Sequence, residues 1–171
     1  MVLEKFTLKN FIKLIVAFGI LVGIIVLLLY ITNQPKPPAT SEHIVKALQD
    51  LNYNYEDLTE EYIEQWKCDE ILQKAISAES ENIRFDFFIF DSVSAAEEYR
   101  KSYRSHIYTN YYKRPSNENK DHMSNWNQYI LETDEMYVVC TRVDNTLLYA
   151  YCRVDHKAEL HNLVTKIGYF D

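Results

Sequence analysis

Glycine is nearly missing from this chain. Of 171 residues only three are glycine. Two of them, Gly19 and Gly23, lie in an apolar run near the N-terminus, which leaves Gly168 alone in the remainder. A loop that cradles phosphate needs several glycines for close backbone approach, so neither a P-loop nor a dinucleotide fingerprint can be written here. The G-x-S-x-G nucleophile elbow is equally impossible. Cysteine is scarce too: Cys68, Cys140 and Cys152 contain no C-x-x-C spacing. Thioredoxin-like chemistry and zinc ribbons therefore lack their ligands. Cys140 and Cys152 meet across a hairpin only if its register allows; the plainer reading is three small buried apolar side chains.

Positive charge is in deficit, with 18 Lys and Arg against 25 Asp and Glu and a formal net charge of −7. General nucleic-acid binding leans on phosphate neutralisation, so that role is not expected. No pair of histidines falls four apart. His156 and His161 are five apart, roughly 140° around a helix, so they do not share the face a zinc site needs. Asp86 and Asp91 fall on opposite faces of a strand and make no acid–base pair. No catalytic group, metal or cofactor is expected.

The apolar run itself is the strongest positive signal. Leu14–Ile31 reads LIVAFGILVGIIVLLLYI without a charge, about 27 Å as a helix and close to a bilayer's hydrocarbon thickness. Lys5, Lys9 and Lys13 precede it and only Lys36 follows closely. That bias predicts a single-pass anchor with residues 1–13 cytoplasmic and the rest outside, at the cell membrane. The run is longer than a signal-peptide core and no A-x-A follows, so the anchor is read as uncleaved, with the lipid bilayer as its partner. Gly19-x-x-x-Gly23 offers a close-approach face for a second helix and hence self-association; glycine is also simply common in such helices.

Residues 32–40 form a proline-rich spacer, and 41–171 read as one α+β domain. Ile44, Val45, Leu48 and Leu51 fall on one helical face behind Thr40 or Ser41 as cap. Asn52–Asp57 reads as a turn. A second helix starts near Thr59, breaks at Cys68-Asp69 and resumes through Ile71, Leu72, Ala75 and Ile76. Ile83–Phe90 alternates as a strand, and Ser94 with Glu97 makes a capping box for the next helix, where Glu97 faces Lys101. Residues 113–125 are polar and read as a loop. Strands follow at Trp126–Thr133, Met136–Val143 and Thr146–Val154, joined by turns that favour Asp and Asn. A last helix begins after Asp155 and ends at Gly168. The order after the anchor is a helical segment, then β-α-β-β-β-α, with a mainly antiparallel four-stranded sheet and helices on one face.

Two candidate interaction surfaces emerge. One is the basic, tyrosine-rich run Tyr99–Arg114, within which Tyr111, Tyr112, Lys113 and Arg114 lie past the helix and suit an anionic partner. Tyr99, Tyr103 and Ile107 of the same run have the spacing of core. The other is the reverse sheet face, where Phe88, Phe90, Ile130, Tyr149 and Tyr151 point if the register allows; helices within 41–76 are the competing cover for it.

The hairpin Arg142–Ala150 and the closing Ile167-Gly168-Tyr169, behind a tethered layout, resemble small membrane-anchored extracytoplasmic domains of Gram-positive bacteria. The resemblance covers about the last third of the chain and assigns no residue a role. The function expected is non-enzymatic: an anchored interaction or ligand-sensing domain with a protein partner. The other readings are a small cell-envelope hydrolase with an unrecognised site and an accessory subunit of a membrane complex.

Overall fold

The computed structural model describes residues 8–32, 35–111, 115–122 and 125–170, with the backbone alone described at 8–12, 29, 31–32 and 115–122. The chain divides into two units, Met1–Gln34 and Pro35–Asp171. The first contains helix α1 (Leu8–Thr32), whose apolar side chains from Leu14 to Leu28 are exposed. Among the described residues no helix is long and apolar enough to cross a membrane. The expected single-pass span Leu14–Ile31 is corrected accordingly. With it go the transmembrane topology and the cell-membrane, extracytoplasmic placement as structural conclusions.

The second unit is built on a seven-stranded sheet ordered β1-β2-β3-β7-β6-β5-β4. Its strands are β1 (Tyr55–Asp57), β2 (Leu72–Glu79), β3 (Ile83–Phe90), β4 (Pro115–His122), β5 (Trp126–Thr133), β6 (Met136–Val143) and β7 (Thr146–Arg153). Every pairing is antiparallel. The helices are α2 (Ser41–Asp50), α3 (Thr59–Trp66), α4 (Val93–Tyr111) and α5 (Lys157–Lys166).

The sheet is covered on both faces rather than one. On the first, Phe85 and Phe87 of β3 pack with Ile44 and Leu48 of α2 and Leu160, Leu163 and Val164 of α5. On the second, Phe88 and Phe90 pack with Ala96 and Ile107 of α4 and with Tyr62, Ile63 and Trp66 of α3. Strand alternation makes this division: successive β3 side chains leave the sheet in opposite directions, and both directions are apolar. A sheet so loaded needs two helical layers.

Four strands were expected and seven form. Of residues 71–76, expected to be helical, 72–76 instead enter β2, where Ala75, Ile76, Ser77 and Ala78 are buried between β1 and β3. Alanine's helix preference is overridden by pairing and burial. β4 is a polar edge strand that opens with Pro115, where a proline costs no ladder bond. The second half of the proline spacer belongs to this unit. Asn125 Nδ2 donates to the Lys36 carbonyl at 2.7 Å, the Lys36 ammonium lies over the Trp126 ring, and Ala39 is buried.

The Cys140–Cys152 pairing is ruled out by register. Cys140 stands opposite Tyr149 and Cys152 opposite Tyr137, and the two thiols point into different core layers. Both stay free, and burial pushes Cys140 up to about 12 and Cys152 up to about 11.

Candidate aromatic binding cleft

The second face of the sheet is not sealed. α3 lies over β2 and β3, α4 over β3, β7 and β6, and they leave an open cleft of about 630 Å³ between them. Tyr62, Gln65 and Trp66 line it from α3; Tyr99, Ser102, Tyr103 and His106 line it from α4; Tyr149 of β7 forms the floor. The helical positions follow from spacing, since residues three and four apart share a face.

Each wall is held separately. At the start of α3, Asp57 Oδ1 accepts from Thr59 N at 3.2 Å, and Thr59 Oγ1 accepts from Ala75 N at 3.0 Å. These bonds tie the helix to β2. Lys67, with φ 55°, ends α3 in the left-handed region. No residue of α3 is buried, so the helix rests on its aromatic side chains. Trp66 stacks on Tyr99 with centroids 4.8 Å apart, and Tyr62 meets Phe88 edge-on at 5.1 Å.

α4 begins behind Ser92, whose Oγ accepts from Ala95 N at 3.2 Å, two residues earlier than a Ser94 cap. Glu97 does not pair with Lys101. It takes two bonds from Arg100, at 2.8 and 2.7 Å, and one from the buried Arg142 at 3.1 Å. Arg142 also donates to the carbonyls of Asn125 and Asp144, so α4 is fastened to the β6–β7 turn. Arg100 and then Arg142 hold the Glu97 carboxyl down at about 2.

Beneath the cleft lies a buried carboxylate. Asp86 Oδ1 accepts from Ser77 Oγ at 2.7 Å, from Arg84 Nη2 at 3.2 Å and from Tyr62 Oη at 3.3 Å. Arg84 is shared with Glu79, so two carboxylates face one guanidinium. Burial first, and then Asp86, raise the Tyr62 phenol. Tyr103 is raised by burial, then by Tyr62 and Asp86. Tyr149 is 4% exposed and its hydroxyl has no hydrogen-bond partner among the described residues. Burial raises it, and Tyr111 adds to the shift without meeting hydrogen-bond geometry. The tyrosines around the cleft are therefore firmly neutral, and its inner end is a group of phenol oxygens rather than a proton-transfer relay.

The expected surface residues are dispersed by this arrangement. Phe88 and Phe90 are fully buried beneath α3 and α4 and present no surface. Tyr149 becomes the cleft floor, and Tyr151 lies half-buried at the edge of the same core, 6.1 Å from Tyr111 between ring centroids. Ile130 packs on the opposite face. Tyr112, Lys113 and Arg114 lie outside the described residues. Gly19 and Gly23 sit on α1, and a Cβ built on either meets nothing within 4 Å. His156 lies beside Glu159, and no group of metal-ligating side chains forms among the described residues. Tyr99 and Tyr103 were expected as core by their spacing, and nothing in the sequence joined them with Tyr62 and Trp66 into one site. The available signal was an aromatic pair four residues apart on each helix, Tyr62 with Trp66 and Tyr99 with Tyr103.

No family model matches the chain, and no curated protein does. Among solved structures it is similar to the crystal structure of a GTP-binding regulator from Thermotoga maritima. The two share 10% identity over 80% of this chain and 94% of that one, with a TM-score of 0.45. A likeness at that level carries no argument about the cleft.

Proposed function

We propose that the protein is a non-catalytic binding domain, for interaction or ligand sensing, and that its working site is the cleft between α3 and α4. The observation that carries this is the concentration of Tyr62, Trp66, Tyr99, Tyr103 and Tyr149 around one open, concave space. Aromatic side chains bury a large area at low entropy cost, and a few placed polar groups then fix orientation. Gln65, Ser102 and His106 supply those groups at the rim. A structural cluster would normally close over its rings; here a helix with no buried residue leaves them accessible.

The test is a ligand-observed NMR screen of the full chain against small aromatic, saccharide and ammonium fragments, repeated with Trp66→Ala. Hits are expected, and Trp66→Ala is expected to weaken them about tenfold or more. An empty screen, or hits indifferent to Trp66→Ala, overturns the reading. The small-hydrolase reading has one observation in its favour: Ser102 and His106 stand one helical turn apart in the same cleft. Their side chains make no hydrogen bond to each other among the described residues, and the Asn110 amide lies 3.0 Å from His106 Nδ1. Ester turnover lost equally in Ser102→Ala and His106→Ala would replace binding with hydrolysis.

A further inference from the structure

Resting on the cleft as the binding site, we infer that its ligand is an organic ammonium ion, seated against the tyrosine and tryptophan rings above Asp86. Three independent features converge on a cation. The first is the wall chemistry. Ring faces carry negative quadrupoles that attract an ammonium within about 6 Å, with tryptophan the strongest. Trp66 and four tyrosines line the space, and no lysine or arginine does.

The second is the state of the hydroxyls. A phenol has one hydrogen to give. Tyr62 gives its hydrogen to Asp86 Oδ1, so the remaining capacity of its oxygen is as an acceptor. Tyr149 Oη is sealed from solvent and has no hydrogen-bond partner among the described residues, so its hydrogen and its lone pairs are both unspent and it favours neither sign of charge. The Tyr62 oxygen therefore suits a ligand that brings positive charge.

The third is the charge below and beside the rings. Asp86 and Glu79 outnumber Arg84, the one guanidinium in that cluster, and Arg84 is committed to both. Glu98 adds its negative field at Tyr99. The whole chain is acidic, at −7. A neutral aromatic or sugar guest would be served by the ring faces but would draw nothing from these carboxylates. An anionic guest would be repelled by them.

The experiment compares choline with 3,3-dimethylbutan-1-ol, which has the same shape and no charge. Binding is read by titration of the full chain, in wild type and in Trp66→Leu, which keeps apolar bulk and removes the ring. Choline is expected to bind at least about tenfold more tightly than the neutral alcohol, and Trp66→Leu to abolish most of that preference. Asp86→Asn is expected to reduce the preference for choline over the alcohol. Thermal unfolding of both variants checks that the fold is kept. Equal binding of the two probes overturns the ammonium inference and leaves the cleft as a general apolar site. Binding of neither also overturns it, and the fragment screen then decides separately whether the cleft binds anything. A choline preference that survives Trp66→Leu places the cation elsewhere and overturns the inference as well.

Discussion

The two faces of one sheet have been finished differently, and neighbouring residues show it best. Phe87 and Phe88 are consecutive in β3 and both are fully buried. Phe87 meets aliphatic side chains from α2 and α5 together with Tyr169. Phe88 meets Tyr62, Trp66, Tyr103 and Phe90. The aliphatic face is closed around Ile44, Leu48, Leu160 and Leu163, each without solvent exposure. Close packing of that kind maximises dispersion contacts and tolerates no gap. The aromatic face leaves rings half-buried, holds a helix with no buried residue, and places a carboxylate among phenols. Such a face contributes less stability per residue than a sealed one. The difference separates a layer packed without solvent exposure from one that leaves an open cleft.

The strongest way to break that comparison is truncation on either side. Phe87→Ala is expected to cost about 3–5 kcal/mol, since the sealed layer cannot collapse onto the gap. Phe88→Ala should fall at or below the low end of that range, because the open cleft lets neighbouring rings and water move in. Denaturant unfolding of the two variants measures both; equal losses would remove the distinction. A smaller effect comes from the fastening of α4. The Glu97 carboxyl is held near 2, below its ordinary value of 4.5. A depressed carboxyl contributes its full stabilisation above pH 4.5, and that stabilisation is lost as pH falls towards 2. Glu97→Gln should therefore cost on the order of 2 kcal/mol at neutral pH and flatten the stability profile between pH 4.5 and 2. Parallel acid profiles for variant and wild type would show that Arg142 and Arg100 hold α4 without Glu97.

Much of the closed layer was legible in the sequence. Ile44, Leu48, Leu160, Leu163 and Val164 declare themselves by helical spacing, Ile83–Phe90 by alternation, and Gly168 by its place after the last helix, where it adopts φ 87°. The three hairpin strands from Trp126 onward were equally plain. β1, β2 and β4 were not, because they are strands by pairing rather than by composition. β1 is three exposed residues, β2 carries two alanines and a serine in its buried stretch, and β4 is PSNENKDH. The apolar run of Leu14–Ile31 misled most, since hydropathy reads composition continuously across positions. The cleft was hidden for another reason. Tyr62 and Trp66 are near one another in sequence, as are Tyr99 and Tyr103, but nothing local says that the two pairs face each other across Phe88. That meeting depends on α3 and α4 landing on the same side of β3, and side choice is a property of the whole sheet.

The finest test concerns the wall that makes the aromatic face open. α3 stops at Lys67, a non-glycine residue held at φ 55°. A side chain costs roughly 1–2 kcal/mol in that region, through crowding of its Cβ against the backbone, whereas glycine enters it freely. Lys67 is exposed. Lys67→Gly is therefore expected to raise stability by about 0.5–1 kcal/mol, the gain being reduced by the greater freedom glycine has in the unfolded chain. The gain should appear in the exchange protection of α3 amides and not in those of α2 or α5, because only α3 ends there. If protection rises in all three helices together, α3 unfolds with the closed layer as one unit. The two faces would then differ in chemistry but not in independence.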